Sequence, residues 1–119
     1  MEGIGLIWQC QPGFATERVR MIAVRVRFQY ENEFNEAHLQ QIAEGARSKF
    51  QGMPGLRSKT FTVDATRRQA LNFYVWESED AARKFFSPQM VEGVAKIYGV
   101  RPSIEYVKLA ALVENPPST

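Results

Sequence analysis

Strict alternation of apolar and polar positions opens the patterned part of the chain. In residues 21–30, apolar side chains occupy every second position from Ile22 to Phe28, and polar or small side chains, including Arg25 and Arg27, fill the positions between them. A repeat of two is typical of a β-strand with one buried face. The stretch therefore predicts a strand with an apolar face toward the core.

The following stretch changes to a helical repeat. Asn35 stands where an N-cap is expected, and apolar residues recur every three to four positions as far as Phe50. This spacing predicts an amphipathic helix over residues 36–50. Residues 52–55, GMPG, then give a strong turn signal.

Further elements complete the order of the chain. They are a strand over 56–63, a polar hairpin loop over 64–68, a strand over 71–76, a helical region from Ser78 to Gly99 that restarts at Ser87 and Pro88, and a strand over 103–113. The order β-α-β-β-α-β predicts an α+β protomer of the ferredoxin-like type, with helices on one face of a four-stranded antiparallel sheet. The other face must be solvated, bind a ligand or pair with another sheet.

The strand over 71–76 has two unlike faces. One face is purely apolar and consists of Leu71, Phe73 and Val75. The other combines an amide with two amphipathic rings and consists of Asn72, Tyr74 and Trp76. We expect the apolar face in the core and the mixed face on the open side of the sheet, beside the arginines of the first strand. Rings and arginines together favour a pocket or an interface.

Composition fits one soluble domain. The 119 residues are 45% hydrophobic and 24% charged, with a formal net charge of +2, which says little about nucleic acid or membranes. The single cysteine, Cys10, excludes an internal disulfide framework and favours a reducing, cytoplasmic location. No apolar run approaches the roughly 20 residues of a membrane span, and the N-terminus does not resemble a signal peptide.

Three segments are expected along the chain. Residues 1–20 lack a repeat and are interpreted as an N-terminal extension, although Met21 directly precedes the first strand and is an alternative native start. Residues 21–113 form the ferredoxin-like domain. Residues 114–119, ENPPST, are expected to be a disordered tail.

Two short motifs carry a resemblance to a known superfamily. They are Pro54-Gly55-Leu56, which enters the second strand, and the segment from Phe73 to Ala82, an aromatic strand followed by an acidic helix start. Both resemble the dimeric α+β-barrel superfamily, and residues 21–112 are most similar to its YdhR-like monooxygenases, neighbours of the antibiotic-biosynthesis monooxygenases. The resemblance implies a homodimer whose two sheets pack face to face, with a pocket between each sheet and its helices.

The resemblance also implies a chemistry. Relatives that oxidise aromatic compounds do so without metal, flavin or haem, on phenols that lose a proton and give an electron to dioxygen. Some use an Asn and a Trp four residues apart on one strand, and Asn72 and Trp76 match that spacing. The expected catalytic residues are therefore Asn72, Trp76 and, as proton donor, Tyr74. No cofactor and no metal are expected.

Three further residues are expected to bind the substrate. Arg27 would hold an acidic group, His38, the single histidine, would act near neutral pH, and Phe85 lies on the inner face of its helix. Haem-degrading relatives instead need a histidine in the second helical region, and none lies between Ser78 and Gly99.

Each of these residues also has a structural interpretation. Asn72 and Trp76 would serve as dimer contacts, Tyr74 as a half-buried ring and His38 as an exposed helical residue. Arg25 would form an interface salt bridge with an acid such as Glu105, and Lys59 is open to either interpretation. These alternatives stay open at the level of sequence.

Three functions compete on this basis. The first is a cofactor-independent monooxygenase of small aromatic or phenolic compounds. The second is a non-catalytic small-molecule-binding or stress-related dimer of the same fold. The third is an RNA-recognition module, which residues 69–76 disfavour because they lack the glycine-and-aromatic pattern of such a strand. We therefore expect no nucleic-acid partner.

Overall fold

A computed structural model describes residues 20–117 of the chain. They form the strands β1 (Ile22–Gln29), β2 (Leu56–Asp64), β3 (Gln69–Trp76) and β4 (Ser103–Lys108), and the helices α1 (Glu36–Phe50), α2 (Glu79–Phe85) and α3 (Pro88–Tyr98). The predicted ferredoxin-like order is confirmed, with the second helical region divided into α2 and α3. Within the described range, no helix is both long and apolar enough to cross a membrane.

The four strands form one antiparallel sheet in the order β2-β3-β1-β4. The side chains of α1, α2 and α3 pack on a single face of that sheet, around the buried apolar residues of β1. The opposite face is left uncovered by these helices and is called the open face below.

The pairing of β1 with β3 corrects one of our expectations. Cross-strand neighbours share a face of a sheet, and Val24 pairs with Tyr74 while Val26 pairs with Asn72. Because the valines form the core, the mixed face of β3 must lie against the helices and not on the open side. Asn72, Tyr74 and Trp76 are accordingly buried, with 3%, 5% and 2% of their surface exposed.

The apolar face of β3 lies on the open face, which reverses the other half of that expectation. Leu71, Phe73 and Val75 stand beside Arg27, Arg25 and Ala23 of β1. Phe73, at the middle of this row, is 41% exposed. The repeat of two correctly divided the side chains of β3 between two faces. It did not determine which face meets the helices, because both faces carry large apolar or aromatic side chains that can fill a core.

Capping side chains fix the helix boundaries where the sequence predicts them. The side chains of Asn35, Ser78 and Ser87 each accept a hydrogen bond from a backbone N–H of the first turn, at 3.0, 3.1 and 3.2 Å. Pro88 follows Ser87 at the first helical position, and Gly99 ends α3 with a φ of +84°. Such an N-cap typically contributes about 1 kcal/mol.

The last strand is shorter than predicted. β4 ends at Lys108, which pairs with Ile22, the first residue of β1, so within residues 20–117 no partner strand remains for the residues up to 113. Residues 109–117 have no regular secondary structure, yet Glu114 forms an ion pair of 2.9 Å with Arg57. Of the expected N-terminal extension, only Arg20 falls within the described residues.

Gly55 closes the turn between α1 and β2 at a tight point of the fold. Its φ of +83° belongs to the left-handed region, and a Cβ there would stand 3.1 Å from the Cβ of Ala81. Its carbonyl accepts a hydrogen bond of 2.8 Å from the backbone N–H of Glu77. The glycine thus allows the β2 entrance and the start of α2 to approach each other.

We expect Gly55→Ala to lower the free energy of unfolding by more than the roughly 1–2 kcal/mol cost of a left-handed alanine alone. Gly52→Ala is the matched control, because Gly52 has a φ of +72° and nothing within 4 Å of its added Cβ. Urea unfolding of both variants measures the difference. Equal losses would show that the approach to Ala81 carries no energetic weight.

Candidate active site

A cavity of about 80 Å³ lies between the sheet and the three helices. Its wall combines apolar side chains of the helices with aromatic and polar side chains of β2 and β3. The residues that line it include Lys59, Phe61, Asn72, Tyr74, Phe85 and Tyr98. A cavity therefore lies where the resemblance implies a pocket, between the sheet and its helices.

Lys59 reaches into this cavity from β2. Its Nζ donates a hydrogen bond of 2.7 Å to the hydroxyl oxygen of Tyr74. The same nitrogen lies 3.8 Å from the ring centroid of Phe50, 4.1 Å from that of Phe61 and 4.3 Å from that of Tyr74. Three ring faces thus surround the amine, an arrangement that attracts a cation.

Burial works against the positive charge of Lys59. Loss of water around the amine, with a smaller contribution from the charge of Lys49, lowers the pKa of Lys59 to about 7. Burial also raises the pKa of Tyr74 above its ordinary value, and the charge on an ionised Tyr98 would add to this. Near neutral pH the pair therefore holds a protonated hydroxyl beside an amine that is poised to gain or lose a proton.

Asn72 and Tyr98 form a second polar pair in the wall. The side-chain amide of Asn72 donates to the hydroxyl oxygen of Tyr98 at 3.3 Å. Burial raises the pKa of Tyr98, although the hydrogen bond from Asn72 acts in the opposite direction. The ring of Tyr98 stacks on Phe28 of β1 at a centroid distance of 3.7 Å, which holds the hydroxyl in place.

Both hydroxyls of the wall can donate a proton. Tyr74 and Tyr98 each accept a hydrogen bond through the oxygen and remain protonated near neutral pH. Each therefore keeps its own O–H for a group that enters the cavity. Two proton donors next to an amide and a titrating amine can bind and protonate an oxygen atom.

Trp76 lies behind the cavity and not on its wall. Its ring is stacked with that of Tyr74 at a centroid distance of 6.0 Å and packs against Phe85 at 5.1 Å. Phe85 in turn lines the cavity. The buried Nε1–H of Trp76 has no hydrogen-bond acceptor in the described part of the chain, a state that costs about 1–3 kcal/mol.

The structure brings together only some of the predicted site residues. Asn72, Tyr74 and Phe85 meet at the cavity, with Trp76 in support. Arg27 lies on the open face, and His38 is exposed on α1, beside a surface groove near Tyr30. Neither of these two side chains reaches the cavity.

The acidic partner predicted for Arg25 is confirmed, and the ion pair forms within the chain. Its guanidinium lies 2.6 Å from the carboxylate of Glu105, its cross-strand neighbour on β4. Because both side chains are largely exposed, the pair contributes no more than about 1 kcal/mol.

Sequence reasoning missed the contribution of Tyr98 to this wall and left the face of Lys59 undecided. For Lys59 a signal was available, since Phe61 and Val63 follow it at a repeat of two and lie on the helix side of the sheet. The faces of β2 looked indistinct because a β-bulge between Leu56 and Ser58 interrupts the alternation. For Tyr98, the pairing with Asn72 depends on tertiary packing that no local repeat reports.

A larger groove of about 500 Å³ runs along the surface between α1 and β2. Phe50, Lys59 and Phe61 line both this groove and the cavity. The cavity alone is smaller than the roughly 150 Å³ of an apolar cavity that binds benzene. A bound aromatic ring therefore needs these shared side chains to move, which joins the two spaces.

Solved structures with the same fold include proteins described as oxygenases and proteins described as of unknown function. A monooxygenase of Streptomyces coelicolor, ActVA-Orf6 in complex with nanaomycin D, is 22% identical with a TM-score of 0.57, covering 84% of this chain and 96% of its own. SnoaB, a cofactor-independent oxygenase of Streptomyces nogalater, is 17% identical with a TM-score of 0.54, and the match covers 82% of this chain and 99% of SnoaB. NE2512 of Nitrosomonas europaea, of unknown function, is 17% identical with a TM-score of 0.61, and the match covers 84% of this chain and 98% of NE2512.

These similarities define the class of the fold, a ferredoxin-like protomer of the antibiotic-biosynthesis-monooxygenase type. The particular family follows from the sequence. Residues 23–111 match the model of the family described as "Putative mono-oxygenase ydhR", and the chain belongs to that family. No curated protein matches the chain.

The lowered pKa of Lys59 makes a prediction for stability. Between about 7 and the ordinary value of 10.5, the unfolded chain binds more protons at this lysine than the folded chain does. The free energy of unfolding should therefore rise with pH from about 7 to 9, by less than the 1.4 kcal/mol per pH unit of one full proton.

We expect Lys59→Met to flatten this rise, as measured by urea unfolding at several pH values. Lys84→Met removes an exposed lysine of α2 and serves as the control that keeps the slope. An unchanged slope in Lys59→Met would mean that the folded and unfolded chains hold this proton equally.

Proposed function

We propose that the protein is a cofactor-independent monooxygenase that oxidises small phenolic compounds in the cavity between its sheet and its helices. The observation that carries the proposal is the composition of the cavity wall. Aromatic rings lie beside two protonated hydroxyls, an amide and a titrating amine. Membership in the family described as "Putative mono-oxygenase ydhR" supports the reaction class.

The reaction that fits this wall needs no external reductant. A phenol and dioxygen give a quinone and water, so that the phenol loses four electrons and dioxygen gains them. In the first stage the phenol loses its proton, dioxygen forms a bond to a ring carbon, and the resulting peroxide takes up a proton to give a hydroperoxide. In the second stage that ring carbon loses its hydrogen as a proton and the O–O bond breaks. The oxygen on the ring becomes a carbonyl, and the distal oxygen takes up a proton and leaves as water.

The polar pairs of the wall have separate roles in this scheme. Asn72 and Tyr98 bind the oxygen of the phenolate and stabilise its charge. Tyr74 donates a proton to the peroxide oxygen, which makes it a better leaving group. Phe85 contacts the aromatic ring, and Trp76 holds Tyr74 in position by stacking. Arg27 and His38 lie outside the proposed site.

Two of the similar structures support the type of chemistry. One is described as a cofactor-independent oxygenase, and another is in complex with the ligand nanaomycin D. Both statements concern those proteins. For this chain they support a small-molecule substrate and a reaction that depends on the protein's own side chains.

A homodimer is part of the proposal. The middle of the open face carries Leu71, Phe73 and Val75, an apolar row that a single copy leaves to solvent. Large exposed apolar patches mark interaction surfaces, and an identical sheet is the occupant implied by the resemblance. Pairing of two open faces would bury Phe73 and leave each cavity on the outer side of its sheet.

Replacing Asn72 by Ala tests the reaction. We expect oxygen uptake with phenolic substrates to fall roughly 10²- to 10³-fold, as for other lost oxyanion donors, with the dimer intact by light scattering. Tyr106→Phe is the control, since Tyr106 packs on the same side of the sheet but does not line the cavity. Substrate binding without any uptake in the unaltered protein would favour the non-catalytic binding function.

Replacing Phe73 by Asp tests the dimer. A carboxylate in the middle of two facing apolar rows would lose its hydration, so we expect the mass in solution to fall from twice 13.6 kDa to 13.6 kDa. Val113→Asp, at a residue that is 80% exposed outside the sheet, should leave the dimer unchanged. A monomeric unaltered protein would refute the pairing directly.

A further inference from the structure

We propose that Lys59 is the group that accepts the proton of the phenol and then holds the phenolate as its counter-ion, so that the site selects compounds with an acidic hydroxyl. This inference rests on the proposed function and names the group that begins the reaction. Two observations support it: Lys59 lines both the surface groove and the inner cavity, and its amine is surrounded by aromatic rings and the hydroxyl of Tyr74.

Lys59 stands at the boundary between two spaces. It lines the surface groove between α1 and β2 and also the inner cavity. Phe50 and Phe61 line the same two spaces, and their ring centroids lie 3.8 and 4.1 Å from Nζ and 6.0 Å from each other. A phenol that enters the cavity from the groove therefore meets Nζ beside these two rings.

The amine of Lys59 has no acidic partner in the part of the chain that the structure describes. Its hydrogen-bond partner is the neutral hydroxyl of Tyr74, and within residues 20–117 no carboxylate lies within 4.0 Å of Nζ. A buried cation without a counter-ion is unfavourable unless an anion joins it. A phenolate in the cavity supplies that anion, which gives the site a reason to prefer ionisable ligands.

The other charges around the site do not replace this anion. Lys49 on α1 lines the cavity and adds positive charge. Glu44 and Arg47, also on α1, line the outer groove and pair with each other at 3.5 Å. Tyr98 on α3 contributes a neutral hydroxyl, and α2 contributes Phe85, which does not titrate.

The proton transfer balances within the site. The phenol O–H bond breaks and an N–H bond forms on Lys59, so that a neutral amine and a neutral phenol become an ammonium and a phenolate. The pair has no net charge, and its two charges attract strongly where water is excluded. Burial lowers the pKa of Lys59 to about 7, which leaves enough free amine at neutral pH to accept the proton.

The consequence for specificity is direct. A methyl ether of the same ring offers no proton and no anion, so it leaves the amine unpaired. We expect such ethers to bind weakly and to resist oxidation, even though they fit the aromatic wall equally well. Phenols with electron-withdrawing substituents should bind best.

4-Nitrophenol tests the inference, because its phenolate absorbs visible light and its phenol does not. Bound to the unaltered protein, the probe should ionise roughly 1–3 pH units below the free compound, as expected beside a fixed positive charge. Lys59→Met should abolish this shift. Lys84→Met is the control that keeps it, because Lys84 is exposed on α2 and lines neither the cavity nor the groove.

Absence of the shift in the unaltered protein overturns the inference, whether or not Lys59→Met folds. So does a shift that persists in a folded Lys59→Met. Oxygen uptake separates this result from the proposed function. A shift without uptake for any phenol refutes the oxygenase but keeps Lys59 as the anion-binding group, whereas uptake without a shift keeps the oxygenase and refutes the role of Lys59.

Discussion

The register between β1 and β3 decides which way the rest of the molecule faces. These strands lie at the centre of the sheet, and the apolar side of β1 must meet the helices because it offers the largest continuous burial. Val24 lies opposite Tyr74, and Val26 lies opposite Asn72. A shift of the pairing by one residue would turn Phe73 and its apolar neighbours toward the helices. It would also turn Asn72 and Tyr74 away from the cavity.

This register buries polar groups, and the aromatic side chains around them offset part of the free energy that their burial costs. Burying an amide, an amine and an indole N–H is unfavourable unless each finds a partner. Asn72 finds Tyr98, Lys59 finds Tyr74 and three ring faces, and Trp76 finds none in the described residues. Apart from the indole, the polar side chains of this network therefore satisfy one another, and the hydroxyls of Tyr74 and Tyr98 each keep an O–H to donate.

Local signals predicted most of the fold. The order of elements, the span of α1 and the caps at Asn35, Ser78 and Ser87 agree with the sequence because each depends on neighbours within one turn. The end of β4 was overestimated since it depends on where β1 begins, and that information lies some eighty residues upstream. Strand length is a property of the pair and not of the strand.

The site was harder to predict than the fold. The segment 72–76 was found from its unusual chemistry, but its orientation needed the register with β1. Arg27 carries suitable chemistry on the wrong side of the sheet, and His38 lies on the outer surface of α1. Residue type suggested these two, whereas their distance from the cavity depends on tertiary packing, which one sequence does not display.

The bulge in β2 has a consequence for how this family can change in length. Arg57 is the extra residue, so Leu56 and Lys59 both face the helices although three positions separate them, and Arg57 itself turns outward to Glu114. Deleting Arg57 or Ser58 would restore a regular ladder and keep Lys59 inside, because either deletion leaves one outward residue between Leu56 and Lys59. Deleting Thr60 would instead put part of the strand out of phase, so one-residue gaps only a few positions apart carry opposite meanings when homologous sequences are aligned.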